Sequence, residues 1–74
     1  MKQIVSVAVI TYNSSQTVLE TLDSILKQTY GSENLELIIS DDGSLDDTVS
    51  IINGWLALNK VAFYKIDFIA NKIN

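Results

Sequence analysis

Residues 35–48 read LELIISDDGSLDDT, an apolar run that ends in four aspartates within seven positions. The run LELIIS has the β-branched, apolar character of a strand, and Asp41-Asp42-Gly43 turns the chain. Ser44 and Asp47 then form an S-x-x-D capping pattern ahead of Val49, Ile52, Trp55 and Leu56, which recur as one face of an amphipathic helix. A strand followed at once by a helix cannot be half of a hairpin, so this stretch predicts a crossover connection between parallel strands.

Working outward, Ile4–Ile10 (IVSVAVI) is nearly continuous in apolar character, which suits a central parallel strand covered on both faces. Thr11-Tyr12-Asn13-Ser14 breaks it, and Asn13 with Gln16 has the form of a helix N-cap signal. Val18, Leu19, Leu22, Ile25 and Leu26 mark a first helix, with Gly31 at its exit. Val61–Ile66 (VAFYKI) reads as a third strand, on which Lys65 alternates outward. The order β-α-β-α-β predicts an α/β fold, one mononucleotide-binding half of a doubly wound, Rossmann-like parallel sheet. In such sheets ligands sit outside the carboxyl ends of the strands, where Tyr12 and Asn13 follow the first strand and Asp41 and Asp42 the second.

Composition narrows the chemistry. The 74 residues contain no cysteine, histidine or proline, which removes disulfides, thiolate and imidazole chemistry, and any ordinary zinc site. A metal held here would be a hard, oxygen-liganded one. A chain this short buries only about 60% of its unfolded surface, so the core is thin. The net charge of −4, with five lysines and no arginine, disfavours nucleic-acid phosphates and anionic membrane surfaces as partners. No apolar run approaches the ~20 residues of a membrane span and no signal peptide is evident, so the expectation is a cytoplasmic protein.

Dinucleotide binding needs a glycine-rich turn after strand one, and Thr11–Gln16 contains no glycine. A P-loop is missing, and the single glycine of DDGSLDD stands at the wrong place for a calcium loop. Recognition of a base and ribose remains. Asp42 can accept from the imide N–H that uracil presents and cytosine does not, and Tyr12 can stack on the base. Asp46 and Asp47 are placed in the first turn of helix two, where the helix dipole favours negative charge and capping explains them.

Three blocks in order, Val5–Asn13 (VSVAVITYN), Ser24–Thr29 (SILKQT) and Ile38–Thr48 (IISDDGSLDDT), resemble the N-terminal segment of family 2 glycosyltransferases of the GT-A fold. The resemblance covers about the first 56 residues and implies a nucleotide-sugar-binding half. It maps Tyr12 to the residue lying against the base and Asp42 to the contact with uracil, with Asp41 beside it and Thr11 in the same turn. Ile10 stands where many members carry proline or threonine. Members also carry a later D-x-D motif that holds Mn2+ or Mg2+ on the diphosphate, followed by an acceptor region. Neither occurs in these residues; Asp41-Asp42 comes one strand too early, and the tail YKIDFIANKIN assigns no role to Asp67 or Asn71.

The resemblance thus implies residues 1–74 as the N-terminal part of a GT-A domain, ending before its metal and catalytic elements. The full-length relative is expected to be a hexosyltransferase that moves a sugar from a UDP-type donor to an acceptor hydroxyl, in polysaccharide synthesis. The chain alone is expected to hold no metal, to carry no catalytic residue and to be inactive. The alternative is a non-catalytic nucleotide-binding or interaction module, self-associating through the open edge of the third strand.

Overall fold

A computed structural model describes residues 3–28 and 30–71. The Thr29 end of the second sequence block and the last three residues of the tail lie outside them. The elements run β1 (Val5–Thr11), α1 (Val18–Leu26), a 3-10 turn (Ser32–Asn34), β2 (Leu35–Asp41), α2 (Thr48–Asn59), a second 3-10 turn (Lys60–Ala62) and β3 (Lys65–Ala70). The three strands are all parallel and lie in the order β1-β2-β3, so the expected α/β half-sheet is present.

Alternation along β2 decides where the core sits. Leu35, Leu37 and Ile39 point to one face, where they pack against Val18, Leu22 and Ile25 of α1 and Ile52 and Trp55 of α2. The Trp55 ring meets Phe63 at 5.8 Å between centroids, and its indole N–H donates to Asp23 Oδ1 at 2.8 Å, tying α2 to α1. Both helices therefore cover the same face.

That arrangement corrects the expectation of a first strand covered on both sides. Among the described residues β1 is an edge strand, and its Ala8 and Ile10 are exposed. The rung Ser6–Glu36–Lys65 crosses the face that these two residues share, with Ser6 Oγ donating to Glu36 at 2.6 Å and Lys65 Nζ 3.8 Å from Glu36.

The third strand is also displaced. It begins at Lys65 rather than Val61, because the chain leaving α2 continues through a 3-10 turn to Ala62. Phe63 is then buried against Trp55, and only Tyr64, whose N–H donates to Leu35 O at 3.0 Å, brings the chain into the sheet. The stretch IDFIA is therefore strand. Gly31, expected at the exit of α1, instead opens the first 3-10 turn with φ of 98°, five residues after the helix ends. Among the described residues no helix is long and apolar enough to cross a membrane.

Candidate functional site: two loops joined at the carboxyl edge of the sheet

The last residues of β1 and β2, Thr11 and Asp41, are register partners. Asp41 continues the inward alternation of Leu35, Leu37 and Ile39 and is fully buried, although it is charged. Four donors satisfy it. Oδ1 accepts from Thr11 Oγ1 and Ser44 Oγ, both at 2.6 Å, and Oδ2 accepts from the N–H groups of Ser44 at 2.8 Å and Gly43 at 3.2 Å. Burial by itself would raise the pKa of this carboxyl. The bonds from Ser44, Thr11 and the two backbone N–H groups outweigh it and hold the group below the usual carboxylate value. Gly43 adopts φ of 87°, the left-handed conformation that lets both N–H groups fold back onto the carboxylate.

One residue further on, the two chains turn outward. Tyr12 is 53% exposed and Asp42 is exposed, while Asp42 N–H still donates to Thr11 O at 2.9 Å. Among the described residues no donor is paired with the Asp42 carboxylate and nothing is bonded to the Tyr12 hydroxyl. The four expected site residues are thus brought together in two layers. Thr11 and Asp41 form a buried, hydrogen-bonded pair, and Tyr12 and Asp42 follow them as exposed residues of the two adjoining turns.

The loops that carry Tyr12 and Asp42 are sewn together, which the capping patterns did not suggest. Asn13 N–H donates to Ser44 Oγ at 2.8 Å, and Leu45 N–H donates to Asn13 Oδ1 at 2.8 Å. Ser14 N–H donates to Thr48 Oγ1 at 2.8 Å and Ser15 N–H to Asp46 Oδ2 at 3.3 Å. Asp46 also accepts from the Thr48 N–H at 3.0 Å and from the Thr48 hydroxyl. These bonds, led by the one from the Thr48 hydroxyl, lower the Asp46 pKa to about 2.

Several local expectations change as a result. Asn13 does not cap α1, which starts at Val18 after Thr17 and has no side-chain cap bond. Ser44 spends its hydroxyl on Asp41 and Asn13, and Asp47 precedes α2 without a side-chain cap bond. Asp46 lies before the helix as well; it accepts the N–H of Thr48, the first residue of α2, and also bridges to Ser15 of the other loop. Asn13, Ser44 and Asp46, read as cap-like, thus each take part in a bond that spans 31 or 32 positions. At the far end Asn71, to which no role was assigned, donates its N–H to Asp41 O at 2.8 Å and brings the end of β3 to the same edge.

A cavity of about 220 Å³ lies between β1 and α1, lined by Val9, Ile10, Thr11, Ser14, Thr17, Val18 and Thr21. Small-molecule pockets run from about 300 Å³ upward, so this cavity does not enclose a nucleotide sugar unaided. Among the described residues no three acidic side chains converge on a point where a metal could bind. Asp41 has its oxygens committed, and the described residues therefore do not fit the divalent cation that the resemblance implies.

Comparison with known proteins identifies the family and the fold. The family model for glycosyl transferase family 2 matches residues 6–74. An uncharacterized glycosyltransferase of Haemophilus influenzae is 44% identical over 71 residues, covering 96% of this chain and 20% of its own length. The UDP-Glc:alpha-D-GlcNAc-diphosphoundecaprenol beta-1,3-glucosyltransferase WfaP of Escherichia coli is 47% identical over 51 residues, 69% of this chain and 20% of that protein. Among solved structures, the mannosyltransferase PcManGT of Pyrobaculum calidifontis, in complex with GDP-Man and Mn2+, superimposes with a TM-score of 0.86 at 27% identity. That match covers 100% of this chain and 21% of the mannosyltransferase. The chain thus spans about one-fifth of the length of these relatives.

Proposed function

The chain belongs to glycosyl transferase family 2, and on that footing we propose that it is the donor-nucleotide-binding portion of a hexosyltransferase that uses a UDP-type sugar. The single observation that carries this reading is the contrast between the two aspartates. Asp41 is buried and saturated with donors, whereas Asp42, one position on, presents an exposed carboxylate beside an exposed Tyr12. An acceptor-only group next to an aromatic face suits a base that offers an N–H on its edge and a ring to stack. In this reading Asp42 accepts from uracil N3–H, Tyr12 lies against the ring, and Thr11 and Asp41 support them from beneath. The names of the relatives supply the reaction class, sugar transfer to an acceptor; an acceptor hydroxyl in polysaccharide assembly, in the cytoplasm, is the finer form proposed.

No step of sugar transfer is assigned to the described residues. A divalent cation in the complete enzyme would draw its ligands from elsewhere, and the chain alone is expected to bind nucleotide without turnover. The test compares UDP, CDP and GDP by calorimetry against the wild-type chain and Asp42→Ala. UDP binding that exceeds CDP binding and disappears in Asp42→Ala supports the assignment. GDP bound in place of UDP would move the donor to a guanosine sugar, whose base also offers N–H donors to Asp42. Equal binding of UDP and CDP, indifferent to Asp42, would overturn the assignment.

Among the described residues the outer edge of β3 is unpaired, which favours one second reading, a self-associating binding module. A monodisperse dimer by light scattering would support it, and a monomer would remove it.

A further inference from the structure

We infer that Asn13 is the positioning residue of the nucleotide site, holding the loop that carries Tyr12 at a fixed spacing from the loop that carries Asp42. The inference rests on the nucleotide-binding reading above and adds a residue to which that reading gives no part.

Three observations carry it. First, Asn13 follows Tyr12 directly and adopts φ of 46°, alone among the described non-glycine residues in having a positive φ. Asparagine tolerates that left-handed conformation better than most residues, because its short side chain finds local hydrogen bonds. Second, it bonds the opposite loop in both directions: its N–H donates to Ser44 Oγ, and its Oδ1 accepts Leu45 N–H, both at 2.8 Å. Ser44 and Leu45 come two and three residues after Asp42, so the tie grips each loop beside its ligand-facing side chain. Third, the tie continues inward. The same Ser44 hydroxyl donates to Asp41 Oδ1, so Asn13, Ser44, Asp41 and Thr11 form one chain of hydrogen bonds from the surface to the buried rung.

Helix capping does not account for these bonds, since α1 begins at Val18. Nor does core stability, because Asn13 and Leu45 are exposed and a hydrogen bond between exposed groups contributes little net free energy. On the strand side of Tyr12 the two segments are joined by Asp42 N–H to Thr11 O and by the Thr11–Asp41 bond; on the loop side the bonds beyond Asn13, at Ser14 and Ser15, tie to Thr48 and Asp46, further from Asp42 in sequence. Beyond the strand ends, Asn13 is the tie nearest Tyr12. What it fixes is geometry.

The substitutions follow from its two properties. Asn13→Gly keeps the left-handed backbone free of strain and removes the side-chain acceptor. Asn13→Asp keeps both the backbone tolerance and the acceptor. UDP and CDP affinities are measured by calorimetry on the wild-type chain and both variants, with thermal midpoints and amide NMR spectra as controls for folding. The expected result for Asn13→Gly is a loss of about tenfold in UDP affinity, the worth of the one Asp42–base hydrogen bond that is no longer made. Its preference for UDP over CDP collapses at the same time, because Asp42 no longer meets the base edge, while the thermal midpoint holds within a few degrees. Asn13→Asp restores both the affinity and the preference. A merely structural role would not move the UDP-to-CDP ratio. An Asn13→Gly variant that binds UDP with wild-type affinity and selectivity defeats this inference alone. A wild-type chain that binds none of UDP, CDP and GDP defeats the nucleotide-binding reading, and this inference with it.

Discussion

Thr11 and Asp41 end adjacent strands as register partners, and the Thr11 hydroxyl donates to Asp41 Oδ1 at 2.6 Å with both residues buried. A charge in the interior of so small a domain is costly unless it is fully hydrogen-bonded. Asp41 meets that condition through four donors drawn from the end of β1 and from the turn that follows β2. The turn shape that presents Asp42 is therefore held by the aspartate before it.

Removing that carboxylate should unbalance the whole edge. Asp41→Ala leaves the Ser44 and Gly43 N–H groups and the Thr11 hydroxyl without their acceptor, and should cost about 3 kcal/mol. Thr11→Val removes one donor of four and should cost about 1 kcal/mol. Urea denaturation midpoints check the order; equal costs for the two would mean that Asp41 is not the hub.

Acid should reach the same network. Asp46 has its pKa lowered from the model-compound value of 3.8 to about 2, and Asp41 is shifted in the same direction. A carboxyl whose folded pKa is depressed contributes stability that is fully present above its unfolded pKa and is lost as pH falls through the folded value. Stability should therefore be flat above about pH 5 with respect to these groups and fall between about pH 4 and 2. Thermal midpoints across that range measure it, and Asp46→Asn should shallow the decline.

Two glycines should respond with opposite signs. Gly43 holds φ of 87° under the Asp41 carboxylate, so Gly43→Ala should destabilise by about 1–2 kcal/mol. Gly54 lies within α2, and a Cβ built there meets nothing within 4 Å. Gly54→Ala should stabilise by about 0.8 kcal/mol through helix propensity. Thermal midpoints of the two variants separate these effects directly.

Much of this was legible in the residues and some was not, for identifiable reasons. The β-branched runs fixed β1 and β2 nearly to the residue, and the apolar spacing found α2, because periodicity reports which face is buried. β3 was placed four residues early because Val61, Ala62 and Phe63 look strand-like; Val61 and Ala62 continue the helix as a 3-10 turn, with Val61 exposed, and Phe63 packs on Trp55. Apolar character alone does not distinguish these outcomes. The burial of Asp41 had a signal in the sequence: Leu35, Leu37, Ile39 and Asp41 alternate, which puts the aspartate on the core face. The cross-loop role of Asn13, Ser44 and Asp46 had none. A polar residue ahead of a helix looks the same whether it caps that helix or reaches across to another loop.

The central claim is that Tyr12 and Asp42, which follow the buried Thr11–Asp41 pair in the two adjoining turns, receive the base of a nucleotide. It is tested most directly by titrating the 15N-labelled chain with UDP and following amide shifts residue by residue. The expected result is a saturable set of shifts confined to residues 11–15 and 41–46, lost in Asp42→Ala, with the amides of α2 and β3 unmoved. Shifts that persist unchanged in Asp42→Ala, or that fall elsewhere on the sheet, would contradict it.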